Sequence, residues 1–419
     1  MRAVYRARNQ QPADREWLRS AIIGALVSLP LVLFGGASAY VVFFQPTPTL
    51  EVVAYELPES EPQPVNLAWP DDGIAAIGAQ GYGLLADDGN ADEQVPIASI
   101  TKLVTALAIL QVKPIQEGET GELITFSAAD EQRYADTISE NGSAYPINAG
   151  DQLTQYEAMQ ALLIPSANNV ADSMVEWAFG SETAFLAYVA DMLTEMGLEQ
   201  TVITDASGMS AGSVSTPREL IEIAQFVLGD PVLASIVRQP QATIDPAVGT
   251  ILNTNQLLRE QYVIGVKTGT TDAAGANLVF AAEYPLTEDI SETIIGVTLG
   301  QSERSVNTTV SNQLLRGAFA NFGFVEVVAA ETAVARYEVP WGEDVELITN
   351  GGITVGGWLG KSYQPSAVID ELEPPVDINQ AVGSLQVQAG ERVSEVPVTT
   401  STVVSEPSFF WRLRHIFSL

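Results

Sequence analysis

PIASITKLVTALAIL, residues 96–110, is the stretch from which the fold of this chain can be predicted. Its apolar residues run almost without interruption, which predicts a buried helix over 99–112. Ser99 and Lys102 stand three positions apart, so their side chains would share one helix face. Burial and the nearby helix N-terminus would both lower the pKa of the lysine. A neutral lysine at this spacing can take the serine proton, which makes Ser99 a candidate nucleophile and Lys102 its candidate base.

A second polar group lies in a break between two predicted helices. Residues 153–164 and 169–179 have helical patterns and are separated by PSAN, residues 165–168. A loop in this position can present polar side chains to a cleft. The Ser166 hydroxyl would then relay a proton, and the Asn168 amide would hold a substrate carbonyl or the neighbouring lysine. Alone, S-x-N is uninformative, because a serine before a helix is usually a cap.

The third string is KTGT, residues 267–270, within a run of β-branched segments. The segments YVIGVKTG, NLVFAAEY and ETIIGVTLG are separated by turn residues and predict an antiparallel sheet. A lysine followed by glycine on an apolar strand indicates close approach by another backbone, against which an extended peptide could pair. Lys267 would attract a carboxylate with help from the threonine hydroxyls. The alternative is an edge-strand lysine that prevents aggregation.

Composition restricts the chemistry that these strings can perform. The chain has no cysteine, and its one histidine is His415. A Ser-His-Asp triad, a Cys-His dyad and a multi-histidine zinc site are therefore implausible, so an activated serine must use lysine as its base. No metal or organic cofactor is required. The formal net charge of −33 argues against a nucleic-acid partner, since phosphate binding needs a basic surface.

The N-terminal part of the chain predicts export. Residues 1–20 contain five arginines, and residues 21–44 carry no charge over a length that can cross a bilayer. This asymmetry predicts a cytoplasmic N-terminus, a transmembrane signal-anchor and an extracytoplasmic body. A cleaved signal peptide is the alternative, because residues 37–39 (ASA) have the form of a cleavage site, although the apolar run continues to Phe44. Residues 45–64, rich in proline and glutamate, are expected to form an extended linker.

The remaining chain divides into three predicted parts. Residues 65–335 combine helical and antiparallel-strand patterns and are expected to form the catalytic domain. Residues 336–405 are short strands with Gly and Pro turns, which predicts a small all-β domain. Residues 406–419 are aromatic and basic in an acidic protein, and as a helix they would place Arg412 and His415 opposite an apolar side. That side would consist of Phe409, Phe410, Leu413, Ile416 and Phe417, which predicts an amphipathic tail on membrane lipid.

The ordered set S-x-x-K, S-x-N and K-T-G resembles the penicillin-binding and serine β-lactamase superfamily. It most closely resembles the D-alanyl-D-alanine carboxypeptidases among the low-molecular-weight penicillin-binding proteins. Supporting stretches include ALLIPSANNVADSM, GVKTGTTDAAGANLVFAA and LLRGAFANFG, and the segments DASGM and STPR also fit, so that the similarity covers about residues 65–325. It implies an α/β (α+β) catalytic domain with a central antiparallel sheet and a helical subdomain, followed by a small C-terminal all-β domain.

The resemblance also implies an activity and ligands. The protein would be a serine-type carboxypeptidase at the cell membrane, with its catalytic domain extracytoplasmic. It would remove the terminal D-alanine from peptidoglycan stem pentapeptides and would bind β-lactam antibiotics.

The resemblance further implies a role for each matched residue. Ser99 would form the acyl ester with Lys102 as general base, and Ser166 would pass a proton to the departing D-alanine. Asn168 would orient the substrate and Lys102. The backbone N–H groups of Ser99 and Thr270 would form an oxyanion hole. The remaining substrate contacts would come from the third string and one arginine: Lys267, Thr268, Gly269, Thr270 and Arg304.

Two other functions share parts of this pattern. A β-lactamase has the same motifs, but the region around Glu199 lacks the glutamate-to-asparagine pattern of a deacylating site. A β-lactamase would also gain nothing from an extra β domain and two membrane contacts. A non-catalytic cell-wall-binding protein with the same fold would not need Ser99, Lys102 and Lys267 to be intact.

Overall fold

The computed structural model describes residues 14–44 and 47–415. Its α-helices in these ranges are α1 Asp14–Phe44, α2 Thr101–Val112, α3 Ala128–Ser139, α4 Gln155–Leu163, α5 Asn168–Phe179, α6 Glu182–Glu195, α7 Pro217–Gly229, α8 Pro231–Val237, α9 Arg304–Ala320 and α10 Phe409–Arg414. The first twelve strands are β1 Glu51–Ala54, β2 Ile74–Ala79, β3 Gly83–Asp87, β4 Val95–Pro96, β5 Leu123–Thr125, β6 Gln152–Thr154, β7 Val214–Ser215, β8 Gln241–Ala242, β9 Ile251–Leu252, β10 Val263–Thr271, β11 Gly275–Pro285 and β12 Ser291–Gln301. The strands that follow are β13 Phe322–Val328, β14 Ala333–Glu338, β15 Val345–Thr349, β16 Ile353–Trp358, β17 Pro365–Ile369, β18 Ala381–Ala389 and β19 Arg392–Thr400.

A five-stranded antiparallel sheet with the order β10-β11-β12-β2-β3 lies at the centre of the catalytic part. Successive side chains of a strand point to opposite faces, so each strand contributes to two cores. Val279 and Ala281 of β11 pack with helices α2 and α4 to α8. Leu278, Phe280 and Ala282 of the same strand pack against α9. The central antiparallel sheet and the helical subdomain that the sequence predicts are therefore both present.

Helix α2 runs through the middle of the helical subdomain. Its residues from Thr101 to Leu110 are all buried, as the apolar pattern predicts. The predicted helix over 99–112 differs at its start, because a 3-10 turn, Ala98–Ile100, precedes α2 and carries Ser99. Ala98 has a φ of +49°, outside the right-handed helical region, so the regular helix cannot extend back through it.

Other helices also differ from the sequence pattern. The sequence pattern also predicts a helix over residues 308–322, and helix α9 begins four residues earlier, at Arg304. Helix α3 was not predicted, because only Asp130 and Thr137 of its residues are buried and no apolar stripe marks it.

The C-terminal part is built on a six-stranded antiparallel sheet with the order β1-β14-β15-β19-β18-β17. Its first strand comes from the segment 45–64, where the sequence predicts an extended linker. The structure differs there, because Glu51–Ala54 pairs with β14 and Leu50 is fully buried in the same core. Two adjacent valines favour this strand, and the free edge of β14 accepts it. Residues 51–54 of the predicted linker are thus part of the C-terminal sheet.

A partly buried ion pair joins the two sheets. Arg392 at the start of β19 forms a salt bridge with the buried Glu292 of β12, and donates to the Gly356 carbonyl oxygen at 3.0 Å. Burial raises the pKa of the Glu292 carboxyl, and the guanidinium opposes that shift.

The two chain ends carry exposed apolar groups. Within α1, Trp17–Tyr40 has a mean hydropathy of 2.0 and none of it is buried. At the other end, Trp411 of α10 packs edge-on against Trp341 and donates to the Pro340 carbonyl oxygen at 3.2 Å. Phe409 and Phe410 are 51% and 79% exposed. Residues 1–13 of the predicted cytoplasmic segment, and Ile416 and Phe417 of the predicted tail, lie outside the described residues.

Candidate active site

The structure brings the three sequence strings into one cleft of about 370 Å³. The first string reaches it from the 3-10 turn, the second from the start of α5, and the third from edge strand β10. Both motif lysines are buried beneath the cleft. The predicted site residues that line it are Ser99, Ser166, Asn168, Thr268, Gly269, Thr270 and Arg304.

Lys102 is oriented by three hydrogen-bonding neighbours, two of which can only accept. Its Nζ donates to the Asn168 Oδ1 and to the Ser207 carbonyl oxygen, both at 2.7 Å, and lies 2.9 Å from the Ser99 Oγ. The first two partners can only accept, so they take two N–H groups of the amine. In the neutral state the nitrogen lone pair is then left for the Ser99 hydroxyl.

The environment of Lys102 favours the neutral amine. The side chain is fully buried, and this burial lowers the pKa of Lys102 to about 7. The carboxylates of Asp205 and Asp172 oppose the shift. Burial also raises the pKa of Asp172 to about 6, while Lys102 opposes that shift. The balance leaves a substantial neutral fraction of Lys102 near pH 7.

A second serine–lysine pair lies across the cleft. The Lys267 Nζ donates to the Ser166 Oγ at 2.8 Å and to the Thr268 carbonyl oxygen at 3.0 Å. Burial, with Lys102 and Arg304 nearby, holds the pKa of Lys267 well below its ordinary value. Ser166 has a φ of +66°, a conformation that is costly for a residue with a side chain and that clusters at functional sites.

Strand β10 passes close to the turn that carries the nucleophile. A Cβ added to Gly269 would lie 2.6 Å from the Ile97 carbonyl oxygen and 3.0 Å from the Ser99 backbone nitrogen. The contact therefore requires glycine, as the sequence pattern indicates. Pro96, the residue before Ile97, is held by Asn277 of β11. The Asn277 Nδ2 donates to the Pro96 carbonyl oxygen at 3.0 Å.

Arg304, the first residue of α9, reaches the far side of the cleft. Its Nε donates to the Thr270 Oγ1 at 3.0 Å, and no carboxylate lies within 4.0 Å of it among residues 14–44 and 47–415. The Thr268 Oγ1 lies 2.6 Å from the Thr254 Oγ1. A guanidinium with no carboxylate partner beside threonine hydroxyls has the chemistry to hold a carboxylate.

Sequence reasoning missed several supporting residues. Thr254 and Asn277 belong to no string, and ordinary polar residues in loops and strands carry no distinctive signal. Ser207 contributes its backbone carbonyl oxygen, which accepts a hydrogen bond from the Lys102 Nζ. Its loop is held by Asp205, which accepts from the Ser207 hydroxyl at 3.0 Å and from the Met209 backbone nitrogen at 2.7 Å. The resemblance of the segment DASGM, residues 205–209, to the family pattern was the one sequence feature that pointed to this loop.

The fold and site together define a class of protein. A serine lies on a turn before a buried helix, and a lysine with a lowered pKa follows it one turn later. With the second lysine–serine pair, this is the arrangement of a lysine-assisted acyl-transfer centre. No histidine lies in the cleft. The class is that of the penicillin-binding proteins and serine β-lactamases.

Comparison with known proteins narrows the class. The sequence profile of the peptidase S11 family, D-alanyl-D-alanine carboxypeptidase, matches residues 80–302, more than half of the chain. D-alanyl-D-alanine carboxypeptidase DacC of Escherichia coli is 25% identical over 342 residues, covering 79% of this chain and 84% of that protein. DacA of the same organism is 26% identical over 368 residues, covering 83% and 89%. Penicillin-binding protein 5 from Haemophilus influenzae has the same fold, with a TM-score of 0.57 at 19% identity, covering 82% and 99%.

The chain belongs to the D-alanyl-D-alanine carboxypeptidase family of serine peptidases. This confirms the predicted family, the penicillin-binding-like fold and the enzyme class, a serine-type hydrolase. The comparisons favour neither a β-lactamase nor a non-catalytic wall protein.

Proposed function

We propose that this protein removes the terminal D-alanine from peptidoglycan stem pentapeptides through an acyl ester on Ser99, and that β-lactams acylate the same hydroxyl. The main observation in support of this proposal is the orientation of the Lys102 side chain. Two acceptor-only partners take its N–H groups, and its remaining direction points to the Ser99 Oγ at 2.9 Å. Burial supplies the depressed pKa that a lysine base requires.

Acylation follows from this arrangement. The neutral Lys102 amine takes the proton as the Ser99 Oγ attacks the carbonyl carbon of the penultimate D-alanine. The substrate pairs with edge strand β10, and negative charge develops on its carbonyl oxygen. We assign stabilisation of that charge to the backbone N–H groups of Ser99 and Thr270, supported by the close passage of Gly269 beside the Ser99 nitrogen.

Release of the leaving group uses the second pair. The C–N bond breaks, and the departing amine takes its proton from the Ser166 hydroxyl. Lys267, 2.8 Å from the Ser166 Oγ, stabilises that oxygen by donating a hydrogen bond. Ser166 regains its proton from the Lys102 ammonium, so that Lys102 is neutral again for the attack of water. The terminal carboxylate binds Thr268, Thr270 and Arg304. Water then hydrolyses the ester on Ser99, releasing the shortened peptide.

Intact-protein mass spectrometry after benzylpenicillin tests the nucleophile and the class together. One adduct mapping to Ser99 is expected, together with D-alanine release from a D-Ala-D-Ala pentapeptide. Ser99→Ala should lose both, and Ser394→Ala, on β19 in the C-terminal sheet, should keep both. D-alanine release by Ser99→Ala at the rate of the unmodified protein would contradict the proposal. Steady rapid turnover of the penicillin, in place of a lasting adduct, would favour the β-lactamase alternative.

We also propose that the enzyme is held at the cell membrane by both ends. The exposed apolar stretch of α1 supports a membrane anchor. The arginines of residues 1–20 support a cytoplasmic N-terminus, which places the cleft outside the cytoplasm. At the other end, the exposed Phe409 and Phe410 support contact of residues 406–419 with lipid.

The proposed division of the body keeps 65–335 as the catalytic domain and 336–405 as the β domain. Strand pairing adds detail at both edges. Strand β13 before this boundary pairs with β16 after it, and β1 joins the C-terminal sheet.

Release of the protein from membranes by detergent, but not by high salt or alkaline carbonate, would support the anchor. Recovery in the soluble fraction without detergent would contradict it.

A further inference from the structure

The C-terminal sheet has two outer edges, and no step proposed above uses them. Its outermost strands are β1 and β17. The two edges meet at one end, where the Leu50 backbone nitrogen donates to the Leu372 carbonyl oxygen at 2.9 Å. Further along they leave a cavity of about 690 Å³ between them, which is called the seam below. Both edges line it, through residues 54–59 and Val334 on one side and through Gln364, Pro365 and Ala367 on the other.

Strand β17 directs backbone groups into the seam. The Asp370 nitrogen donates to the Val382 carbonyl oxygen of β18, and the pairing of the two strands has no bulge from Pro365 to Ile369. In an antiparallel pair only alternate residues bond to the neighbouring strand. Ala367 and Ile369 therefore direct their N–H and C=O groups away from β18.

This edge lacks the charges that commonly prevent pairing with another chain. Strand β17 reads PSAVI, and its Val368 side chain is 56% exposed. Natural edge strands are usually protected by charged side chains, bulges or a covering segment. Proline stands only at the first position of β17, where it removes a single donor. The rest of the edge can accept a further strand.

The opposite side of the seam is acidic. Glu56 and Glu59 line the cavity and are exposed. Within the described residues 14–44 and 47–415, neither carboxylate lies within 4.0 Å of a basic group. Apolar side chains lie among them, from Leu57 and Pro58. Two unpaired carboxylates opposite an uncharged strand edge favour an occupant that carries positive charge.

We propose that the seam binds an extended segment of a partner protein in which basic and apolar residues alternate. The segment adds to β17 as a further strand, through hydrogen bonds to the backbone of Ala367 and Ile369. Successive side chains of a strand point to opposite faces, so the apolar ones can pack in the cavity while the basic ones stay near Glu56 and Glu59. The interaction uses no residue of the catalytic cleft and is independent of the proposed function.

A second copy of this chain is a poorer occupant. It would bring its own acidic rim to the seam, and the chain has a formal net charge of −33. Like charges placed together across an interface disfavour association. A basic segment removes this repulsion and supplies partners for both glutamates.

Two labelled peptides test the proposal: acetyl-Thr-Lys-Val-Lys-Val-Lys-Thr-amide and the same peptide with glutamate in place of each lysine. Fluorescence anisotropy with the full-length protein in detergent at low salt measures their dissociation constants. The lysine peptide should bind at least about tenfold more tightly than the glutamate peptide. In the double variant Glu56→Lys, Glu59→Lys this preference should be reversed.

The double variant Glu326→Lys, Glu395→Lys is the matched control. It changes the net charge by the same amount at exposed positions that do not line the seam, so it should keep the preference for lysine. Equal binding of the two peptides, binding of neither, or a preference that the seam variant does not change would overturn the proposal.

A backbone variant tests the strand pairing itself. Ala367→Pro removes an N–H group that faces away from β18, and it should weaken binding of the lysine peptide about tenfold. Ala367→Ser keeps the N–H group and should bind as the unmodified protein does. Equal affinity of the two variants would contradict pairing with β17, and if Ala367→Pro does not fold, the charge exchange decides alone. A dimer in sedimentation that forms without any peptide binding would assign the seam to a second copy and overturn the proposal.

Discussion

At the scale of single residues, the site depends on how Lys102 is kept neutral. A buried ammonium without a directly bonded carboxylate is costly, so the proton is lost at a much lower pH than in water. The two carboxylates that favour its charged form act through space and are not bonded to it. Burial is the larger effect, and it is the reason that unprotonated Lys102 is present near neutral pH.

The first prediction concerns the pH dependence of acylation. Only the deprotonated Lys102 amine accepts the Ser99 proton, and the pKa of this amine is about 7. The second-order rate of acylation by benzylpenicillin should therefore fall as the pH falls through about 7, losing about tenfold per pH unit below it. Stopped-flow or quenched acylation between pH 5 and 9 measures this. A rate that is constant from pH 5 to 9 would contradict the assignment of Lys102 as base.

The second prediction concerns Asp172, which lies four residues after Asn168 on α5. Its carboxyl has a pKa of about 6 and is mostly ionised at pH 7, where it raises the pKa of Lys102. Asp172→Asn removes that charge, so the pKa of Lys102 should fall and the acid limb of the acylation profile should move to lower pH.

The exposed Asp191 of α6 provides the control for this change. Asp191→Asn should leave the acid limb where it is in the unmodified protein. A limb that stays in place or moves to higher pH in Asp172→Asn would show that Asp172 does not act on Lys102.

The sequence indicates candidates where the side-chain type itself carries the chemistry. Only a few residue types can be nucleophile, base or proton donor, which points to Ser99, Lys102, Ser166 and Lys267. The structure brings them together, and their roles stay predictions. Ser207 was missed, because it acts through a backbone carbonyl, which any residue possesses. The spacing of residues within each string follows from the sequence. The distances between the strings depend on how the sheet packs against α2 and α5, which the sequence does not show.

At the scale of elements, the relation of β10 to the turn before α2 decides whether the site is assembled. The two meet at Gly269, where an added Cβ would lie 2.6 Å from the Ile97 carbonyl oxygen. Such a contact sets the distance between the turn that carries Ser99 and strand β10. It cannot adapt by a change of rotamer.

Gly269→Ala therefore forms the third prediction. The new Cβ would meet the Ile97 carbonyl oxygen and the Ser99 nitrogen, so strand and turn must separate. A displacement of this kind should lower kcat/KM for D-alanine release by about 100-fold. Gly229→Ala is the control, because a Cβ at that end of α7 meets nothing within 4 Å. Activity of Gly269→Ala equal to that of the control would contradict the close-contact argument.

Element prediction followed the strength of the apolar pattern. Helix α2 and strands β10 to β12 were predicted because long apolar runs mark them, and they are the buried elements of the site. Helix α3 was missed because it is nearly all polar and lies on the surface. Strand β1 was missed because proline and glutamate around it suggest a linker, whereas the free edge that binds it lies about 280 residues further along the chain.

At the scale of the whole molecule, the two sheets are joined by the Arg392–Glu292 pair. Arg392→Met, the fourth prediction, leaves the buried carboxylate without its partner. The cost should be about 1–3 kcal/mol, below that of a fully buried pair because Arg392 is partly exposed. Burial raises the pKa of Glu292, so its charged form is the destabilised one, and the loss should be larger at pH 8 than at pH 5.

Thermal unfolding at the two pH values measures this effect. Arg316→Met is the comparison, because it breaks an exposed ion pair with Glu260 that is worth at most about 1 kcal/mol. Equal losses of Tm in the two variants, or a loss that does not depend on pH, would contradict a buried carboxylate at the junction.

Strand β1 has a consequence for where in the cell envelope the enzyme can work. Only five residues lie between Phe44, the end of α1, and the buried Leu50. Such a segment spans at most about 20 Å when fully extended. If α1 spans a bilayer, as proposed above, the edge of the C-terminal sheet that carries β1 is tethered within about 20 Å of the end of α1. The proposed substrate would then have to come within reach of a body tethered that close to the membrane surface.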